Sequence, residues 1–485
     1  MKLGARLSHK ASIHVIRTIP IGVALLCLLM LGIWLGGEGE GHWEMRLPGS
    51  DNAGSGAPEE AVSSLFQGRL VQSEGIAADL PGSWPRFRGA RFDGISTETV
   101  SFARAWAGGE LRRFWEIDVG EGYAGAAILN GRVYVMDYDV EGSGGGGRSL
   151  SVGEDALRCL SLADGKEIWR YAYPVKVKRN HGMSRTVPAV TQDYVVAMGP
   201  KCHVICLNAE TGTLLWKLDL AKEDGTRVPP WYAGQCPLID DGLAIIAPAG
   251  DEVLLMAVDC ETGEVRWKTP NPRAWQMTHA SIVPMMLEGR RTYVYCGSGG
   301  VVGVAADTGE ILWENMDWKI SIATIASPLI VDGGRVFLAG GYNAGSMMLQ
   351  VVVQKDAWSA EPVFRLEPEV FGATQHTPIF YEGHIYGVRP NGDLVCMTPD
   401  GTLLWNSGTA HRFGLGPFMI AGGLIFVMND SGLLCLVEAN PNGYRQLAQS
   451  QVLDGHDSWG PMALAGGRLI VRDMTRMVCL DVMEP

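Results

Sequence analysis

Five of the ten histidines in this 485-residue chain fall in short polar stretches, each running into an apolar segment. The stretches are "HGMSRTVP" (181–188), "THAS" (278–281), "TQHTP" (374–378), "AHRFGLGP" (410–417) and "GHDSWGP" (455–461), with "WYAGQCP" (231–237) of the same kind. Imidazole exchanges a proton near neutral pH and either donates or accepts a hydrogen bond, so repeated histidines suit a binding surface or a cofactor site. The candidates are His181, Arg185, Trp231, Tyr232, Gln235, His279, Gln375, His376, His411, Arg412, His456, Asp457 and Trp459. The competing reading is that such loops are polar because they meet water. No catalytic residue is assigned, because no Ser-His-Asp set, P-loop or H-E-x-x-H pattern stands out. No metal site is assigned either: "CHVIC" (202–206) has poor ligand spacing and no partner pair nearby.

The elements that hold these stretches repeat. Strand, Gly turn and strand ending in Trp recur as "CLSLADGKEIW" (159–169), "CLNAETGTLLW" (206–216), "AVDCETGEVRW" (257–267), "GVAADTGEILW" (303–313) and "CMTPDGTLLW" (396–405). Asp-Gly and Thr-Gly between apolar runs are hairpin turns, since Gly supplies the positive φ of a tight reversal. A second hairpin signal precedes each copy, as in "NGRVYVM" (130–136) and "GGLIFVM" (422–428). Four short strands every 40–50 residues are the mark of a propeller blade. Counting these signals predicts an all-β, eight-bladed β-propeller over 113–485, eight being favoured over seven.

The chain ends in "MVCLDVMEP" (477–485), part way through the repeat, while "FWEIDVG" (114–120) resembles a fourth strand with no third before it. Pairing 114–118 with 477–482 would close the ring and leave no open sheet edge there. Pro188, Pro237, Pro328, Pro378, Pro417 and Pro461 open the first strand of six blades. A residue without an N–H suits an edge strand, here the one lining the central channel, which places the candidate residues at one mouth. Cys159, Cys206, Cys396, Cys435 and Cys479 share a column with Ala257 and Gly303, marking a small buried position. Such positions are spread around a ring, too far apart to form disulfides.

The net charge is −13, and Lys2, Arg6, Lys10 and Arg17 lie in the first 17 residues, so the body is more acidic still. An acidic body repels phosphate backbones and argues against nucleic acid. Residues 1–18 are read as a basic cytoplasmic N-terminus, and 19–37 ("IPIGVALLCLLMLGIWLGG") as a transmembrane signal anchor. That uncharged run is about 28 Å long as a helix, near the hydrocarbon thickness. Basic residues before it and Glu38, Glu40 and Glu44 after it put the propeller outside the cytoplasm. A cleaved signal peptide and a lipoprotein signal at Cys27 are the alternatives. Residues 38–82 read as a disordered linker and 83–112 as a lead-in that packs on the propeller.

The A-E-T-G-x-x-x-W pattern resembles the tryptophan-docking motif of pyrroloquinoline-quinone (PQQ)-like propeller repeats. The lead-in "WPRFRGARFDGIS" (84–96) is similar to one preceding many bacterial members. The resemblance implies that Trp169, Trp216, Trp267, Trp313 and Trp405 pack against the following blade. It leaves two classes open. Quinoprotein dehydrogenases oxidise alcohols or sugars with PQQ and calcium, and carry a vicinal Cys-Cys pair that is absent here. Non-catalytic propellers, typified by the lipoprotein subunit of the outer-membrane β-barrel assembly machinery, bind other envelope proteins. The second class is favoured: a membrane-anchored, periplasmic protein-binding scaffold without a cofactor. A polysaccharide-binding propeller is a further alternative.

Overall fold

Strands such as Leu424–Met428 and Gly300–Ala305 are buried along their whole length, so both faces must be covered. Stacking sheets around an axis achieves this, because each sheet covers the face of the next. The computed structural model describes residues 67–139, 150–178, 183–355 and 357–484, with Met30; all but Met30 fall in one unit, Leu47–Pro485. Its strands form eight antiparallel sheets, the blades of an eight-bladed propeller.

Blade 3 shows the pattern: Leu238–Asp240, Leu243–Ile246, Val253–Asp259 and Val265–Pro270 pair in sequence order. First strands of neighbouring blades touch one another and line the channel. Pro188, Pro237, Pro328, Pro378 and Pro417 each directly precede one of these inner strands. The cores lie between blades. One unites Val204 and Cys206 of blade 2 with Ile245 and Leu255 of blade 3, and another joins Val294 of blade 4 to Val336 and Leu349 of blade 5.

Blade 8 combines both ends of the chain. Ala463–Ala465, Arg468–Arg472 and Arg476–Asp481 are completed by Arg113–Asp118, with Trp115 opposite Cys479 and Glu116 opposite Val478. Blade 1 carries a fifth strand, Arg69–Gln72, on its outer strand Glu167–Lys178. Residues 67–82 are therefore ordered, which corrects the expectation of a disordered linker reaching 82. That strand covers an edge which would otherwise expose unpaired backbone groups. The expected anchor, 19–37, lies outside the described residues apart from Met30. Among the described residues no helix is long and apolar enough to cross a membrane.

Blades are joined by one recurrent bond. The outer-strand Trp of a blade donates its indole N–H to a turn carbonyl of the next blade. Trp169 reaches Glu210 O (3.0 Å), Trp216 Cys260 O (2.9 Å), Trp267 Ala306 O (3.1 Å) and Trp405 Asn440 O (2.9 Å). Trp115 does the same from blade 8 to Leu162 O of blade 1 (3.0 Å), so the closing seam is built like these four. The turn glycine lets the ring lie flat: a Cβ on Gly212, at φ 73°, would stand 2.6 Å from the Trp169 ring.

Blade 5 breaks the pattern. Its outer hairpin runs on through Gly345–Gln354 and Ala357–Leu366 before turning, and Trp313 Nε1 of blade 4 is buried without a hydrogen-bond partner. Phe364 stands where blade 5 would carry Trp, and its ring lies over the turn glycine Gly401 of blade 6.

Two stability measurements test this scheme. Deleting 112–118 should lower the melting temperature sharply, and Trp115→Ala should cost about 3–5 kcal/mol. In chemical denaturation, Trp169→Phe should cost about 1 kcal/mol more than Trp313→Phe, because only the former removes a made hydrogen bond.

Candidate functional site

Connections leading into the inner strands all lie at one end of the channel, and their side chains wall a cavity of about 350 Å³. The lead-in closes the other end of that cavity. Its Trp84 bridges Ile128 of blade 1, Pro85 O accepts from Val190 N of blade 2, and Arg86 donates to Ile239 O of blade 3. It then crosses the channel. Arg88 donates to Thr377 O and Pro378 O of blade 6 (both 2.8 Å), Ile95 bridges Ile420 of blade 7, and Glu98 accepts from Gly466 N and Gly467 N of blade 8. Arg88 also donates to Phe92 O and Asp93 O, so its guanidinium is held by carbonyls of the lead-in itself and of blade 6. A planar fork of donors meets four acceptors in a way that the compact ammonium of lysine does not. The channel is therefore a cup with a floor that includes Trp84, Phe87, Arg88 and Gly94.

Six of the candidates line the cup: Arg185, Trp231, His279, Gln375, His376 and Trp459. Trp231 and Tyr232 adopt left-handed backbone (φ 62° and 72°), and Arg185 Nε donates to Trp231 O. The rings of Trp231 and His279 lie 6.3 Å apart, an approach that Gly234 permits: a Cβ there would stand 2.6 Å from the imidazole. His376 Nε2 lies 2.7 Å from Gly416 O, which makes it the donor and leaves Nδ1 buried without a partner. Gln375 donates to Leu415 O.

The remaining candidates have other places. Tyr232 is fully buried, 5.5 Å beneath the Lys201 ammonium. Gln235 is buried and exchanges hydrogen bonds with the backbone of Ala247, so it braces a strand end. His411 packs on the Tyr444 ring, and Arg412 pairs with Asp393 at 3.4 Å. His456 is 80% exposed beside Asp457. His181 lies outside the described residues.

Residues that the motif reading did not single out complete the cup. Tyr123, ahead of the inner strand of blade 1, stacks on Trp459 with centroids 5.2 Å apart. The Arg185 guanidinium lies 5.1 Å over the Tyr123 ring, a cation–π contact. Tyr123 Oη lies 3.2 Å from Asp457 Oδ2, and Asp430 accepts from Trp459 Nε1 at 2.7 Å. The signal was present in "VGEGYAG" (119–125), which enters a first strand as the histidine stretches do.

Four side chains run around the wall as a chain of acceptors. Val187 N donates to Cys236 Sγ, Cys236 N to Ser281 Oγ (3.0 Å), Ser281 N to Ser327 Oγ (2.9 Å) and Ser327 N to Thr377 Oγ1 (2.9 Å). Each bond joins one blade to the next. Buried backbone N–H groups ahead of proline or at strand starts have no ladder partner, and these side chains supply one.

Burial sets the protonation states. His279 is pushed down to about 4 by desolvation and by the Arg185 charge, and His376 to about 4 by desolvation. Both are neutral at pH 7, while Arg185, lowered to about 10 by burial, is charged. Among the described residues, no Asp or Glu lines the cup. Calcium in a quinone site takes oxygen ligands that include carboxylates, so this donor set does not fit a calcium–quinone pair.

A family model described as outer membrane protein assembly factor BamB matches residues 153–400. A curated relative, outer membrane protein assembly factor BamB of Alteromonas naphthalenivorans, is 26% identical over 266 residues, which cover 52% of this chain and 60% of that protein. The crystal structure of BamB from Moraxella catarrhalis superposes with a TM-score of 0.51 at 14% identity, covering 77% of this chain and 98% of that one. The quinohemoprotein alcohol dehydrogenase ADHIIG of Pseudomonas putida HK5 gives a TM-score of 0.52 at 13% identity, covering 83% and 80%. At these identities the two structures share the fold with this chain.

The buried histidines carry a pH signature. Their folded pKa lies below the unfolded value of about 6.5, so the unfolded chain takes up the proton first as pH falls. The stability they confer by staying neutral is complete above pH 6.5 and is lost progressively down to about pH 4. His376→Gln keeps a donor for Gly416 O and does not titrate. Its melting temperature should therefore fall less than wild type between pH 6.5 and 4; equal falls would contradict the assignment.

Proposed function

Because the chain belongs to the family described as outer membrane protein assembly factor BamB, we propose that it is a non-catalytic scaffold that binds other proteins of the cell envelope. The observation that carries this reading is the family match, which spans most of the propeller, from blade 1 into blade 6. The matched curated relative bears the same description, although the chain spans only 60% of its length.

The rim face supports the reading. In the connections around blade 5, Ile322 (49% exposed) and Tyr342 (40% exposed) present apolar surface at or beside the mouth of the cup, with Met316 in the same connection as Ile322 and Val370 in the connection to blade 6. Apolar side chains exposed at a rim favour a protein partner. The lining without carboxylates speaks against the dehydrogenase alternative, and the likeness to a quinohemoprotein extends to the fold alone. A tether through residues 19–37, with the propeller in the periplasm, completes the proposal.

Photocrosslinkers placed at Ile322 and His456 on the rim, and at Leu215 on an outer strand as a control, test the scaffold in cells. Rim positions should capture an outer-membrane assembly protein identifiable by mass spectrometry, and Leu215 should not. If alcohol-dependent dye reduction instead appears on adding PQQ and calcium to the purified chain, the dehydrogenase reading replaces this one.

A further inference from the structure

Cysteine and tryptophan stand opposite each other in the outer strand pair of several blades: Cys159 with Trp169, Cys206 with Trp216 and Cys396 with Trp405. At the seam between blades 2 and 3, both members of the pair reach one residue of the next blade. Trp216 Nε1 donates to Cys260 O at 2.9 Å, and Cys206 Sγ lies 3.4 Å from the same oxygen. The side chains of Cys206 and Cys260 also lie within hydrogen-bonding reach of each other, and that contact, together with burial, pushes the Cys206 thiol well above its ordinary range. Cys260 sits three residues before its turn glycine, Gly263; the same turn position in other blades carries Leu162, Ala209, Ala306 and Asn440, none of them a thiol.

We propose that Cys206 and Cys260 form a disulfide that ties blade 2 covalently to blade 3. Both are free thiols in this structure. Each loses its hydrogen and the two sulfurs join, while the two electrons and two protons reduce a disulfide oxidant of the glutathione type to a pair of thiols, by way of a mixed disulfide. Both side chains are fully buried and the Cys206 thiol holds its proton, so the closed seam reacts slowly and the bond is made as the chain folds. Cys260 lies outside the column shared by Cys159, Cys206, Cys396, Cys435 and Cys479, so the ring spacing that separates those five does not separate it from Cys206. The bridge spans 54 positions of the chain, including Trp231 and Cys236 of the cup wall. A crosslink over that length restricts the unfolded chain strongly. An oxidising compartment matches the location proposed above, yet the pairing belongs to the chain itself and is read on purified protein.

The test refolds the full chain from denaturant, once in a buffer of oxidised and reduced glutathione and once in dithiothreitol, and then labels the denatured product with a maleimide. After refolding in glutathione, wild type should take two labels fewer than its ten cysteines allow. Digestion without reductant should yield peptides linked between Cys206 and Cys260, located by tandem mass spectrometry. The melting temperature should stand about 5 °C above that of the dithiothreitol sample. Cys206→Ala and Cys260→Ala should each be labelled at every remaining cysteine and lose the redox dependence of melting. Ala257 and Ala306 occupy the equivalent positions in neighbouring blades, so both variants should fold. Full labelling of the wild type, a different linked pair, or the same two-label deficit in either folded variant overturns the proposal. If a variant does not fold, the linked wild-type peptides decide alone.

Discussion

A blade cannot stand alone, because both faces of its inner strands are apolar, and so the fold depends on how each blade grips its neighbour. The indole of one blade lies flat on the turn glycine of the next and donates to a carbonyl of that turn. The contact combines burial of a large ring with a directional bond, so it sets the spacing between blades as well as holding them together. A ring built this way needs its last grip. Trp115 provides it from the first strand of the propeller, which is why the chain starts its repeat with a fourth strand and ends with a third.

Much of this was legible because its causes are local. Asp-Gly and Thr-Gly turns, apolar strands and a repeated Trp each act within a few residues, and the complementary fragments 114–120 and 477–485 pointed to closure. Phe364 escaped notice because its role comes from the register of a longer hairpin rather than from a motif. The cup was half legible. Loops before first strands had to share one mouth, yet Gln235 and Tyr232 turn away from it for reasons of packing that no local pattern records. Trp84 and Arg88 were visible in the lead-in, but nothing near them in sequence says that Trp84 bridges Ile128 of blade 1 while Arg88 reaches blade 6, nearly 300 residues away.

Floor and wall together explain why the cup is polar in a particular way. The lead-in brings in Arg88, a charge that four carbonyls solvate in place of water, and the wall places hydroxyls where backbone N–H groups would otherwise be orphaned. Neither arrangement needs a ligand to be stable. Both leave the interior short of negative charge, an electrostatic consequence of bonds made for structural reasons.

The lead-in bonds to the inner ends of blades 1, 2, 3, 6, 7 and 8, while it meets blade 4 through the packing of Phe92. The seam between blades 4 and 5 is also the one where the Trp313 indole finds no acceptor. That seam is held by other bonds instead: Asn315 Nδ2 donates to Ala360 O, Arg365 donates to Asp317 O, and Ser281 N donates to Ser327 Oγ. A propeller can thus lose one kind of grip at a single seam and keep its circumference, because amide and guanidinium donors take over where the indole does not reach.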